Sequence, residues 1–223
     1  MTLSEENYLK SIYSLQKEHP KGVSTNLLAR HLETKPASTT EMIKKLNDKG
    51  LANYRPYQGV VLNDDGEQHA LKIIRKHRLW ETFLVDKLNF NWDEIHDVAE
   101  QLEHIRSEKL VEELDRFLDF PKYDPHGDAI PDAEGNMPVI SKKKISQLQA
   151  GDKGTCIGVN DTSSSFLQFL DKQGIKLGSW MEILRVEHFD KSMTILIEER
   201  EVVLSKIATD NIYVRVEKNK SDS

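Results

Sequence analysis

The sequence predicts a mainly α-helical protein carrying a small β module at its C-terminal end. Apolar residues recur at three- and four-residue spacing through the first half of the chain. Short runs alternating β-branched with polar residues fill positions 151–217. Between them, residues 132–150 follow Pro131, contain Pro138 and a Lys142-Lys143-Lys144 run, and read as a linker. With 223 residues the chain is long enough for one large domain or two to three small ones.

Composition narrows the function classes. A hydrophobic content of 38% argues against global disorder. No apolar run approaches the roughly 18 residues that span a bilayer, so no membrane partner is expected. The first residues are acidic (Glu5, Glu6) and lack the basic and apolar parts of a secretory signal. A single cysteine, Cys156, rules out an internal disulfide framework. A cytoplasmic protein is expected. The net charge of −6 is unevenly spread. Residues 1–62 hold 9 Lys/Arg and 6 Asp/Glu, residues 63–130 hold 9 and 17, and residues 131–223 hold 13 and 14. A basic head, an acidic middle and a neutral tail suggest different partners for each.

In the head, Tyr8, Leu9, Ile12, Tyr13 and Leu15 mark a first helix, with Ser4 as the expected N-cap and residues 19–22 as its end. Ser24 caps a short second helix with Leu27, Leu28 and Leu32 on its apolar face. After a turn at 33–35, a third helix is expected over 36–49, with Pro36 in its first position and Gly50 closing it. Thr39, Met42, Ile43 and Leu46 share one face; Ala37, Thr40, Glu41 and Lys44 share the other, flanked by Ser38 and Lys45. That second face is small and hydroxyl-bearing at the helix start, where base edges approach the backbone. It is basic further along, where phosphates pass. Residues 52–62 read as two strands around a Pro/Gly tip, the wing of a winged helix-turn-helix. The candidate DNA contacts are Lys35, Ala37, Ser38, Thr39, Thr40, Glu41, Lys44 and Lys45, with Arg55 and Tyr57 at the wing tip. A three-helix protein-interaction module shows the same spacing; the basic, aromatic wing favours DNA.

In the middle, residues 63–66 open a long helix over 67–88 on which His77 and Glu81 form an i,i+4 pair. Residues 89–92 break it, and a further helix starts near Asp93. That helix places His96, Glu100, Glu103 and His104 at i, i+4, i+7 and i+8, within an arc of about 100°. Ile95, Val98, Leu102 and Ile105 lie opposite. Imidazole nitrogens and carboxylate oxygens from two helices suit a divalent cation such as Mn²⁺, Fe²⁺ or Zn²⁺, and the lack of thiolate points to the harder ions. The same residues also fit a solvated helix face, and periodicity leaves both open. A di-metal enzyme would use a similar set. No nucleophile elbow, phosphate loop or metalloprotease signature accompanies it, so neither an enzyme nor a small organic substrate is expected.

In the tail, strands are expected at 155–159, 181–186, 193–197, 201–204 and 212–216, with a turn at 190–192 and a helix near 164–172. Five strands in about 65 residues argue a small barrel. Cys156 falls in a strand and is expected to be buried and inert.

Residues 6–13 (ENYLKSIY), 76–81 (KHRLWE), 94–104 (EIHDVAEQLEH) and 120–131, with its Asp124-Pro125-His126-Gly127, together resemble the metal-dependent repressors that include the diphtheria toxin repressor and the manganese transport regulators. The resemblance covers residues 4 to about 217. It implies a winged helix-turn-helix DNA-binding domain (1–72), a helical metal-binding and dimerisation domain (73–131), a linker (132–150) and a C-terminal SH3-like β-barrel (151–217). It also implies a homodimer on a palindromic operator. One metal position would use His77, Glu81 and His96, completed by Asp161; the other would use Glu100, Glu103, His104 and Asn7. Asp124 and His126 are secondary candidates. Glu100 stands where the iron-responsive branch has Cys, which looks like the manganese branch; Mn²⁺ is the expected metal, Fe²⁺ the second, and Zn²⁺ a ligand in vitro. Asn7 departs from the family's Asp or Met, and Lys10 replaces a carboxylate of some manganese-responsive relatives.

Overall fold

The computed structural model describes residues 1–138 and 142–216. Residues 139–141 of the expected linker and residue 217 of the expected β module lie outside the described residues. In chain order the first elements are α1 (Leu3–Gln16), α2 (Thr25–His31), α3 (Pro36–Asp48), β1 (Ala52–Arg55) and β2 (Gly59–Leu62). Three helices follow: α4 (Asp64–Leu88), α5 (Ile95–Leu102) and α6 (Glu108–Phe117). The remainder is β3 (Lys143–Lys144), a 3-10 turn (Ile145–Gln147), β4 (Lys153–Val159), α7 (Ser164–Gln173), β5 (Trp180–Val186), β6 (Met193–Ile197), β7 (Arg200–Leu204), α8 (Lys206–Thr209) and β8 (Ile212–Val216). Three apolar cores underlie these elements, one per region.

The head is a winged helix. Its first helix is capped by Thr2, not Ser4, because Thr2 accepts from the Glu5 amide while Glu5 accepts from the Thr2 amide. Glu5 is fully buried and ion-paired to Lys45 (2.9 Å) and Lys49 (2.7 Å) of α3. Those two ammonium groups hold its carboxyl down at about 2. The wing hairpin β1–β2 is antiparallel, and Val23 joins it through two 2.9 Å backbone bonds to Val60. Gly59 permits that approach: its φ is +95° and a Cβ there would fall 2.5 Å from the Val23 carbonyl oxygen.

Helix α4 begins at Asp64, three residues before the expected start, because the Asn63 side chain accepts from the Gly66 amide at 3.0 Å. Asp64, Asp65 and Glu67 thus sit in the first turn, where the helix dipole favours acid. It links the two cores: Ala70 packs in the winged helix, and Leu79, Trp80 and Leu84 pack with Ile95, Ala99 and Leu114. Helix α6 was not expected from the sequence. Ser107 caps it, and Val111, Leu114 and Leu118 face the core.

The β module is a six-stranded antiparallel sheet in the order β3-β8-β4-β5-β6-β7. It is SH3-like but does not close into the expected barrel, since β3 and β7 remain separate edges among the described residues. Lys143 and Lys144, within the expected linker, pair with Val214 and Tyr213. Cys156 is buried in this core, and burial pushes its thiol up to about 11. The module docks on the middle region: Trp92 Nε1 donates to Asp171 (3.1 Å), and Ser164 and Gln168 of α7 donate to Asp93 (2.9 and 2.8 Å).

Candidate metal centre and DNA interface

Two groups of metal-ligating side chains meet at Glu81. His77, Glu81 and His96 form one, Glu81, Asp124 and His126 the other, and within each group the ligand atoms lie within 4.8 Å of one another. Glu81 Oε1 is 3.0 Å from His77 Nε2 and 3.5 Å from His96 Nδ1, while its Oε2 is 3.7 Å from His126 Nδ1. They border a cavity of about 470 Å³ that Arg78, Glu100 and Thr162 also line.

Three elements supply these ligands. His77 and Glu81 come from adjacent turns of α4, and His96 from the first turn of α5. Asp124 and His126 sit in a turn in which Asp124 Oδ1 accepts from the His126 and Asp128 amides (2.8 and 2.9 Å). The β module fixes that turn: the Val159 amide donates to the His126 carbonyl at 2.9 Å, and a Cβ on Gly127 would fall 1.9 Å from the Ile157 oxygen. His126 Nε2 meets the Trp92 carbonyl at 2.8 Å, which leaves Nδ1 for the Glu81 side.

Burial and charge are balanced here. Burial opposes charge on His77, but the carboxylates of Glu103 and Glu81 raise it to about 9. Burial also works against ionised Glu81, yet His126, His77 and His96 hold it well below the usual carboxylate range. Asp124 is pushed up to about 7 by burial and by the charges of Glu81 and Asp128. Burial opposes charge on His126 as well, and Glu81 raises it. Nitrogen and oxygen donors without thiolate, converging on one buried carboxylate, fit a borderline-to-hard divalent cation.

The other expected position is built differently. Helix α5 ends at Leu102 with Glu103 as its C-cap, still in helical conformation with its amide on the Ala99 carbonyl, and His104 Nε2 lies 3.8 Å from Glu103 Oε1. Glu103 is fully buried and lies 2.6 Å from His77 Nδ1. His104 turns to Glu6 of α1 (2.6 Å). Lys10 places its ammonium 2.8 and 2.9 Å from the two Glu103 oxygens and 3.2 Å from Glu100. That ammonium stands among the carboxylates of the set Asn7, Glu100, Glu103 and His104, while the Asn7 side-chain oxygen is buried without a hydrogen-bond partner. Asp161 caps the turn before α7, accepting from the Ser163 amide at 2.9 Å, and belongs to neither ligand group. Glu6 was missed by the sequence reading, which noted Lys10 only through the resemblance; both flank Asn7 on the middle-facing side of α1.

Most of the candidate DNA contacts lie on the surface. Lys35, Ala37, Ser38, Glu41, Lys44, Lys45, Arg55 and Tyr57 are exposed, with Tyr57 fully so at the wing tip. Lys45 also serves Glu5. Thr40 is half-buried and donates to the Pro36 carbonyl at 2.8 Å. Thr39 is a correction: it is fully buried, its hydroxyl bonded to Thr34 (2.9 Å) and Tyr8 (3.2 Å), so it anchors α3 to α1 and faces no ligand.

Comparison with known proteins accounts for all three regions. Residues 1–60 match the model of the iron dependent repressor N-terminal DNA binding domain, and residues 63–132 that of the iron dependent repressor metal binding and dimerisation domain. Residues 143–216 match the FeoA domain. An HTH-type transcriptional regulator of Methanocaldococcus jannaschii is 38% identical over 119 residues, 53% of this chain and 95% of that protein. A solved manganese-dependent transcriptional repressor in complex with manganese superposes with a TM-score of 0.85 at 35% identity, over 95% of this chain and 99% of that one. The chain belongs to the iron-dependent repressor family. The iron-dependent repressor IdeR of Mycobacterium tuberculosis is 30% identical over 126 residues, 56% of this repressor and 54% of that protein. This repressor is therefore a metal-dependent DNA-binding protein with a dimerisation domain, and no described helix is long and apolar enough to cross a membrane.

Proposed function

We propose that this repressor is a homodimer that binds a palindromic operator when loaded with Mn²⁺, and so controls genes of metal-ion homeostasis. Fe²⁺ is the second metal and Zn²⁺ is also bound in vitro. One observation carries the reading: ligands from α4, α5 and the 124–126 turn converge on Glu81. The proposed ligands are His77, Glu81, His96, Asp124 and His126, with Asp161, beside the cavity-lining Thr162, as the contribution of the β module. When bound, a divalent cation supplies positive charge that neutralises Glu81 and Asp124 at one point between three elements. Glu103 serves this set from behind, accepting from His77 Nδ1 so that Nε2 faces Glu81. Mn²⁺ ranks first because the donors are imidazole and carboxylate without thiolate.

The decisive test is fluorescence anisotropy on DNA from the protein's own promoter region at fixed salt, with chelator, then Mn²⁺, anaerobic Fe²⁺ and Zn²⁺. Metal is expected to tighten binding by about 5–150-fold, a coupling that DNA must return to the metal. Binding indifferent to chelator would sink the metal-dependent reading.

Metal uptake must also displace protons. Imidazole and carboxyl ligands bind deprotonated, yet the metal-free protein raises His77 to about 9 and Asp124 to about 7. Affinity therefore falls as pH drops from 8 to 6, by about tenfold per unit for each proton displaced. Calorimetric titration of Mn²⁺ at pH 7 in two buffers of different ionisation heat should give different apparent enthalpies. Equal enthalpies would remove His77 and Asp124 from the ligand set.

A further inference from the structure

Helix α1 carries a cation into the middle region. Lys10 is largely buried, with 17% of its side chain exposed, and its ammonium engages both oxygens of Glu103 and one of Glu100. Glu103 is itself fully buried, and its Oε2 is shared with His77 Nδ1. Close by in sequence, the Asn7 side-chain oxygen is buried without a hydrogen-bond partner. A fully buried carboxylate needs a counter-charge, and Lys10 provides one whatever the metal supply.

We infer that Lys10 is a built-in cation: its ammonium takes the place that a second divalent ion would fill among Asn7, Glu100, Glu103 and His104, and ties α1 of the winged helix to the end of α5 without metal. Lys10 Nζ lies 2.8–3.2 Å from the carboxylate oxygens of Glu103 and Glu100 that such an ion would need as ligands. An incoming ion would also meet an ammonium group at contact distance, where water is scarce and repulsion is weakly screened. An ammonium needs no fixed coordination geometry, so it settles on the two carboxylates at the end of a flexible stem. The α1–α5 tie is thus permanent, and metal control passes to the Glu81 ligands alone. This deepens the proposed function and rests on it only for what the Glu81 ligands do.

The experiment counts Mn²⁺ ions bound per subunit, from the electron paramagnetic resonance signal of free Mn²⁺, for the full chain and three variants. Wild type and His104→Gln are expected to bind the same number. Lys10→Glu, which replaces the ammonium with a carboxylate, is expected to bind one ion more. In chelator, the α1 amides of Lys10→Gln should exchange hydrogen faster than those of wild type. Loss of one ion in His104→Gln would show that a metal displaces Lys10, and would overturn the inference even if the Lys10 variants failed to fold. An unchanged count in Lys10→Glu, or unchanged α1 exchange in Lys10→Gln, would overturn it as well. Should wild type bind no Mn²⁺, the metal-dependent reading fails, while one ion gained by Lys10→Glu would still support the Lys10 assignment.

Discussion

Glu81→Gln should abolish the metal-dependent gain in DNA affinity while leaving a folded winged helix. Glu81 is the one side chain common to both ligand groups, with Oε1 facing His77 and His96 and Oε2 facing His126. Glutamine keeps the volume of this buried residue but removes its charge and turns an NH₂ group toward one of the imidazoles. Both groups then lose their shared anionic donor at once. The gain of about 5–150-fold expected for wild type should fall to near one, and Mn²⁺ affinity should drop by more than about tenfold. The winged-helix core, built on Leu9, Ile12, Leu28, Ile43 and Leu46, does not include this residue. Residual metal-independent binding to DNA should therefore persist. Anisotropy with and without Mn²⁺, alongside a melting curve in chelator, reads all three quantities. An undiminished metal response in a variant that folds would refute Glu81 as the centre of the site.

What the sequence discloses and what it hides divide along physical lines. The helices of the head and the strands of the tail were legible because their apolar periods are local, as was the pairing of His77 with Glu81 one turn apart. Helix ends were less legible. The 100° arc through residues 96–104 keeps Glu100, Glu103 and His104 together, but periodicity does not record that Glu103, the C-cap of α5, is buried against His77 and Lys10 instead of lying on a solvated face. Thr39 looks like a hydroxyl available to DNA until the Tyr8–Thr34–Thr39 cluster forms across two helices. Asp124 and His126 lie in a turn with no period to read: His126 stood out only as a further histidine near the helical ones, and Asp124 only through the resemblance. Barrel closure depends on whether the edge strands β3 and β7 pair, which no single strand's pattern records. Helix α6 had a readable signal in the Ser107 cap followed by Leu110, Val111, Leu114 and Phe117 at helical spacing.

That last helix bears on the second large effect: Phe117→Asp should convert a dimer into monomers. Leu110 and Phe117 of α6 are 41% and 63% exposed, and with Leu114, Trp80 and Phe83 they line one open apolar hollow. The rings are already ordered, Trp80 against Phe83 at 5.8 Å and Phe83 against Phe117 at 6.2 Å. Within the dimerisation domain, such a patch is the surface that a second copy would cover. Two-fold symmetry makes each substitution count twice. Burying one Phe contributes about 1.5–3 kcal/mol, so losing two weakens association by about 3–6 kcal/mol. That corresponds to roughly 10²–10⁴-fold in the dimer dissociation constant, before the repulsion of two facing carboxylates is added. Sedimentation equilibrium at micromolar concentration should show wild type as dimer and Phe117→Asp as monomer. Operator affinity should fall with it, because one α3 helix can then read only one half-site of a pair about 34 Å apart. Phe117 lies far along the chain from α3 and β1–β2, and the Mn²⁺ ligands are elsewhere, so metal uptake per subunit should be unchanged. A Phe117→Asp protein that remains dimeric would place the two-fold axis on another face.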